Sequence, residues 1–311
     1  MPKKILLLGV LFVGMIALSI FLLSKRMPPM DGPGPVLPAE KNTIGKIIID
    51  EPSRSITLEK KEQDWWITAP LEDVANLEII DQLVGTLNSF TLGTVISEKK
   101  DKYPTFDLDP SKATRIQLFK QGGDQALLEG YVGKQAISYG TSYFRYANQD
   151  PVYIATNLPN WVLLRAVEEY RVKKLIPFKQ EAVTSFEING EKASASFTRS
   201  SDTWTRATST GPVDVNIVKS FLGKLEQLQA AQFEDNLDPA QKLGFEKPIL
   251  TILVETSSGP VSGKVGVLKK YKKGEPDLRQ RFAQTEGRKT VLLVNSSAVD
   301  EVLTLLKTTA K

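Results

Sequence analysis

A chain of 311 residues, 41% hydrophobic and 24% charged, has the length of about two domains and enough apolar content for packed cores rather than disorder. Its 40 basic and 36 acidic residues leave a formal net charge of +4, too weak to point to nucleic acid. There is no Cys and no His, which removes Ser-His-Asp and Cys-His catalysis, thiol redox chemistry, disulfides and nearly every zinc site together.

Ile5 to Leu23 is a run of nineteen positions without a charge, flanked by Lys3-Lys4 and Lys25-Arg26. As a helix it extends about 28 Å, close to the hydrocarbon thickness of a bilayer. The competing reading is a cleaved signal peptide with Ala17-Leu18-Ser19 as its small-x-small site; apolar residues continue to Leu23, so residues 1–24 are assigned to a signal anchor. The short tail before it and the large domains after it predict a single-pass inner (plasma) membrane protein with its C-terminal domains on the extracytoplasmic side. Residues 25–43 hold Pro28, Pro29, Pro33, Pro35 and Pro38 with Gly32 and Gly34, and read as a semi-extended stalk.

A first domain is expected over residues 44–178. Ile44 to Ile49 and Ser55 to Lys60 alternate as strands around the turn Glu51-Pro52-Ser53, and Trp65-Trp66-Ile67 opens a third. A helix follows, with Ile79, Ile80, Leu83, Val84 and Leu87 at helical spacing. After the charged loop Glu98 to Lys102 come a hairpin within Phe106 to Gly133, strands at Ser142 to Ala147 and Val152 to Ala155, and a helix over about Asn160 to Tyr170 with Asn160 as N-cap. Arg171 to Lys179 is too apolar for a free linker and predicts domains that pack together. The second domain, 179–311, repeats the plan: strands near Ser185 to Ile188, Ser194 to Thr198 and Trp204, a helix from about Val215 to Ala230, a hairpin within Phe245 to Gly266, strands near Arg281 and Val291, and a last helix at Ser297 to Lys307.

The repetition has a nearly constant offset. Trp204 follows Trp66 by 138 positions, Pro248 follows Pro110 by 138, Gly266 follows Gly133 by 133, and Arg281 aligns with Arg145 at 136. Drift of a few residues belongs in turns, where insertions are tolerated, so the expectation is a duplication. The fold class predicted is α+β: an N-terminal transmembrane helix followed by two tandem homologous domains, each a mainly antiparallel sheet with two helices.

Laid out twice behind a signal anchor, these features resemble a bacterial family known as a domain of unknown function, number forty-three-forty. The resemblance rests on Trp66 and Pro70, Tyr103 through Pro110, Gly130, Gly133, Tyr143, Arg145 and Arg171 through Leu175, then Trp204, Leu243-Gly244-Phe245 and Pro248. The stretch from Tyr103 departs from the family's more usual Tyr-Gly-Leu, Pro104-Thr105 replacing the usual Gly. The resemblance implies membrane-anchored exported proteins, often associated with gliding-type ABC export systems as accessory subunits, and implies no catalytic residues.

Candidate sites are few. In a strand one of two adjacent tryptophans faces the core, so Trp66 and Trp204 are assigned to it and Trp65 to the surface. Asp107 and Asp109 could pair as acid-base carboxylates but, in a turn before Pro110, read as caps of backbone amides. Ser97-Glu98-Lys99-Lys100 fits Ser-x-x-Lys only formally, because that lysine needs burial and this one sits in a charge run. Lys269, Lys270, Tyr271, Lys272 and Lys273 form the strongest basic cluster, suited to anionic lipid, a polyanion or an acidic partner, and otherwise a solvated loop. Trp65, Tyr143 and Arg145 join it as the candidate interaction surface. No catalytic, metal or cofactor site is assigned, no nucleic-acid partner is expected, and no P-loop occurs.

These features predict a non-catalytic, membrane-anchored binding or scaffold protein, held in the membrane by residues 5–23 and accessory to an ABC-type permease or another envelope assembly. The alternatives are an exported carboxylate-based hydrolase of envelope polymers and a structural protein that binds polyanions through Lys269 to Lys273.

Overall fold

The computed structural model of the protein describes residues 36–37, 44–201, 203–208, 211–238 and 240–309. The spanning helix expected at residues 5–23 lies outside the described residues, as does the stalk at 25–43 apart from 36 and 37. Among the described residues no helix is long and apolar enough to cross a membrane. The chain is of the α+β class, built mostly from antiparallel sheet, and divides into two compact units. One runs to Pro70 and resumes over Leu77–Ala166; the other consists of Leu71–Asn76 and everything from Val167 onward.

In the first unit, β1 (Ile44–Glu51), β2 (Arg54–Lys61) and β3 (Asp64–Ala69) form a meander. The two-residue strand β4 (Asp73–Val74) belongs to the second unit. Helix α1 (Leu77–Ser89) buries Ile80, Leu83 and Leu87, three positions on one helical stripe. Then follow β5 (Thr91–Ser97), β6 (Thr114–Lys120), β7 (Ala126–Gln135), β8 (Thr141–Tyr146) and β9 (Val152–Thr156). The spatial order is β3-β2-β1-β6-β7-β8-β9-β5. Period-two alternation sets the buried face: Ile47 and Ile49 of β1 lie opposite Leu58 and Ile56 on one side and Leu118 and Ile116 on the other, all at most 1% exposed.

The second unit is built from β10 (Val183–Gly190), β11 (Ser194–Ser200), β12 (Thr203–Arg206), α2 (Val215–Glu226), β13 (Ala230–Phe233), β14 (Leu250–Thr256), β15 (Gly259–Leu268), β16 (Gln280–Thr285), β17 (Leu292–Asn295) and α3 (Ser296–Thr309). Its sheet order is β12-β11-β10-β14-β15-β16-β17-β13. Strand for strand, this is the order of the first unit. Asp214 caps α2 by accepting from the Asn216 amide. Val218, Phe221, Leu222 and Leu225 of α2 and Val299, Val302 and Leu306 of α3 enter one core with Phe186, Phe197, Trp204, Ile252 and Val254 of the sheet. Leu175, Ile176 and Phe178, from the connecting segment, are part of that same core.

Three expectations need correction. The helix expected over Asn160 to Tyr170 is two separate 3₁₀ turns, Asn160–Val162 and Val167–Glu169; Pro159, not Asn160, holds the N-cap position, without a side-chain bond. Four consecutive apolar residues, Trp161 to Leu164, give no single buried helical stripe there. The loop at Glu98 to Lys102 runs into a 3₁₀ helix, Lys100–Phe106, and the strands β5 and β13 were not anticipated. Finally, Arg145 does not match Arg281. Arg145 pairs with Tyr131, and Lys264, the counterpart of Tyr131, pairs with Gln284. Arg281 instead pairs with Leu268 where Ser142 pairs with Gln135.

The glycines that end each hairpin have a shared cause. A Cβ on Gly133 would lie 2.1 Å from the Phe106 carbonyl oxygen, and one on Gly266 would lie 1.9 Å from that of Leu243. The segment before each hairpin crosses the second strand at backbone contact. Gly266→Ala should therefore cost about 3 kcal/mol in denaturant unfolding. Gly223→Ala, on α2 with nothing within 4 Å of the added methyl, should stabilise by about 1 kcal/mol or less.

Candidate functional site

The basic cluster lies on the connection between β15 and β16. Lys269 donates its backbone N–H to the Gln280 carbonyl at 2.8 Å, and Tyr271 donates its hydroxyl to the Gln280 Oε1 at 2.6 Å, so the base of the hairpin is pinned. At the tip Glu275 accepts from the Lys272 amide at 3.0 Å and Asp277 from the Arg279 amide at 2.9 Å. Gly274 and Arg279 take positive φ of 97° and 48° to complete the turn. Burial pushes the Tyr271 phenol up from its usual value, and the carboxylates of Asp277, Glu234 and Glu275 add to this, so it stays a neutral donor.

Of the five residues in the run, two are committed. Lys269 forms an ion pair with Glu234, and Tyr271 is half-buried. Lys270, Lys272 and Lys273 present their side chains to solvent. Val267, Leu268 and Leu278 are also exposed, at 39%, 38% and 44%, so the cations stand among apolar side chains. Beside the base lies a cavity of about 300 Å³ lined by Lys173, Phe233, Asp235 and Lys269.

The other candidates are not surface groups, and they lie in the first unit. Trp65 is 7% exposed and shares its face with Ile67, while Trp66 is half-buried with the Lys61 ammonium 5.1 Å from its ring centre. The assignment of the pair is thus reversed, because a one-residue shift in a strand exchanges faces. Trp204 is buried as expected and matches Trp65, not Trp66. Arg145 is 7% exposed, its guanidinium 4.0 Å from the Tyr131 ring centre and 4.5 Å from that of Tyr103. This is a desolvated cation between two aromatic rings. Tyr143 is half-buried against Phe106, ring centres 4.7 Å apart. Asp107 does not cap with its side chain; it adopts φ 54°, and its carboxylate meets Lys112 at 3.4 Å.

Sequence reading missed the strongest charge cluster. In the second unit, Asp73 accepts from Arg171 Nε at 2.6 Å and from Arg288 Nε and Nη2 at 2.7 Å each. Arg171 reaches on to Asp235 through two bonds of 2.7 Å, with the Phe233 ring centre 3.7 Å from its guanidinium. Asp73 and Arg171 are 2% and 1% exposed. Burial alone would raise the Asp73 carboxyl, but the bonds and charge of Arg288, with the bonds from Arg171 and Thr290, outweigh it and hold it below its ordinary value. For Arg171, burial opposes the charge, and Asp235 and Asp73 more than restore it. Two cations face two carboxylates, Asp235 at the solvent edge and Asp73 inside, the pairing that lets ionised groups persist when buried. The one sequence signal was the pairing of Arg171 with a segment too apolar to be a linker.

This geometry dictates an acid dependence. A carboxyl whose folded pKa is depressed stabilises fully above its unfolded value of about 3.9 and loses that contribution as pH falls through the lower folded value. Asp73→Asn should cost about 3 to 5 kcal/mol near neutral pH, since it leaves Arg171 and Arg288 undercompensated. Its unfolding free energy should then fall less steeply below about pH 4 than that of the wild type.

A family model described as a domain of unknown function (DUF4340) matches residues 65–238, from β3 through β13. No curated protein and no solved structure matches the chain.

Proposed function

As the chain belongs to the DUF4340 family, we propose that it is a non-catalytic, membrane-anchored binding subunit of an envelope assembly, an ABC-type exporter whose other subunits supply ATP hydrolysis. The observation that carries this reading is the β15–β16 hairpin. It offers Lys270, Lys272 and Lys273 beside exposed Val267, Leu268 and Leu278 on a loop held by its own hydrogen bonds. A rigid patch of cations among apolar side chains suits an acidic protein surface better than a solvated loop does. The common strand order of the two sheets supports reading the units as copies of one duplicated domain, and the uncharged run at residues 5–23 supports a signal anchor with both units outside the cytoplasm.

Crosslinked co-purification of the full chain from membranes tests the proposal. Transporter or other envelope subunits should be recovered with the wild type and lost with Lys270→Glu/Lys272→Glu/Lys273→Glu, which leaves the pinned residues Lys269 and Tyr271 untouched. Equal recovery with the triple variant would contradict the hairpin's role. Turnover of an envelope polymer by the purified chain, abolished by a carboxylate substitution, would replace the proposal with the hydrolase reading.

A further inference from the structure

The matching registers allow the outward face of one sheet to be compared with that of the other, position by position. In the first unit one cross-strand row reads Asp50, Arg115, Tyr131, Arg145 over β1, β6, β7 and β8. That row is filled. Arg115 holds Glu129 through bonds of 2.6 and 3.0 Å and stands 3.7 Å from Asp50, and Arg145 lies flat against Tyr131. In the second unit the same row reads Asn189, Thr251, Lys264, Gln284 over β10, β14, β15 and β16. Both arginines have become short neutral side chains, and Ser262 stands where the first unit has Glu129. The space so vacated is a cavity of about 480 Å³ lined by this row, by Ser262 and by the carboxylates of Glu187 and Glu286. Its volume lies in the range of small-molecule sites.

The polar groups around it are held in place by neighbours. Asn189 donates to the Glu187 Oε1 at 2.8 Å, Gln284 donates to the Arg288 carbonyl at 3.1 Å, and the Ser262 hydroxyl donates to Glu286. Lys264 is drawn to one side, its ammonium 5.1 Å from the Phe245 ring centre. Gln284 gives its amide N–H groups to the Arg288 and Lys289 carbonyls, and Asn189 gives one of its two to Glu187, so the cavity presents amide oxygens and carboxylates as acceptors, the Thr251 hydroxyl as either, and Lys264 and the second Asn189 N–H as donors. Two carboxylates repel an anion. Lys264 in turn opposes a compact cation, and a lining that mixes acceptors with donors suits a ligand with many hydroxyls, each of which both gives and takes a hydrogen bond.

We propose that the outward face of the second unit's sheet, at Asn189, Thr251, Lys264 and Gln284, is a binding site for a short neutral saccharide, opened by loss of the side chains that fill the same face of the first unit. This goes beyond the docking role of the hairpin and does not depend on it. The first unit supplies the closing variant: Thr251→Arg/Ser262→Glu installs the Arg115–Glu129 pair at its register equivalent.

Ligand-observed NMR on the full chain, in a detergent without a sugar headgroup, tests this with maltotriose and chitotriose as probes and spermidine and tripolyphosphate as controls. At least one trisaccharide should bind the wild type at millimolar concentration or below. Thr251→Arg/Ser262→Glu should weaken it about tenfold or more with an unchanged thermal midpoint, and Asn189→Ala should also weaken it. Failure of both trisaccharides to bind, binding of spermidine or tripolyphosphate instead, or trisaccharide binding that survives both variants would overturn the proposal.

Discussion

The second unit depends on a contact between residues far apart in sequence: the bond of Arg171 to Asp73, closed from the other side by Arg288. It brings Leu71–Asn76 into a unit whose remaining chain begins at Val167. Backbone bonds run alongside it, from the Asn76 amide to the Tyr170 carbonyl at 2.7 Å and from the Val172 amide to the Val74 carbonyl at 3.3 Å. Arg288 ties the same place to the β16–β17 connection by also donating to the Val172 carbonyl at 2.8 Å. A buried ion cluster is weak evidence for net stability, because a well-packed apolar set of equal volume is often as good. Its effect is to specify which segments meet. An apolar cluster would accept many partners, whereas two guanidinium groups need oxygen acceptors placed in line with their N–H bonds.

The two sheets show how one strand order supports different surfaces. Inward positions are constrained by packing, so Ile47, Ile49, Ile116 and Leu118 find apolar counterparts in Phe186, Ile188, Ile252 and Val254. Outward positions are constrained only by their neighbours. In the first unit they close on themselves, with Arg115 satisfying Glu129 and Arg145 lying between Tyr131 and Tyr103. In the second unit shorter side chains leave the same face open.

Elements with a strong period were legible in the sequence. The hairpins around Gly122-Gly123 and Ser258-Gly259, helices α1, α2 and α3, and the repeated glycines at 133 and 266 all fall close to where alternation and turn chemistry put them. What alternation leaves open is phase. The adjacent pair Trp65-Trp66 fits either face, and only Ile67, buried completely, shows that the odd positions point inward. Arg145 and Arg281 fit the repeat offset of 136, but β-strand pairing follows register, which a drifting offset does not encode. The basic run was found as a run, yet Glu234, which engages Lys269, is 35 residues away. Asp73 is hidden for the same reason: its partners are 98 and 215 residues distant.

Hydrogen–deuterium exchange on Arg171→Met tests the central claim most directly, because it reads each segment separately. If the cluster joins them, exchange should rise together over residues 71–76, 167–175 and 286–290 while the amides of β6 and β7 stay as protected as in the wild type. Faster exchange confined to residues near 171, with 71–76 and 286–290 unchanged, would show that the segments are held by other contacts and contradict the account.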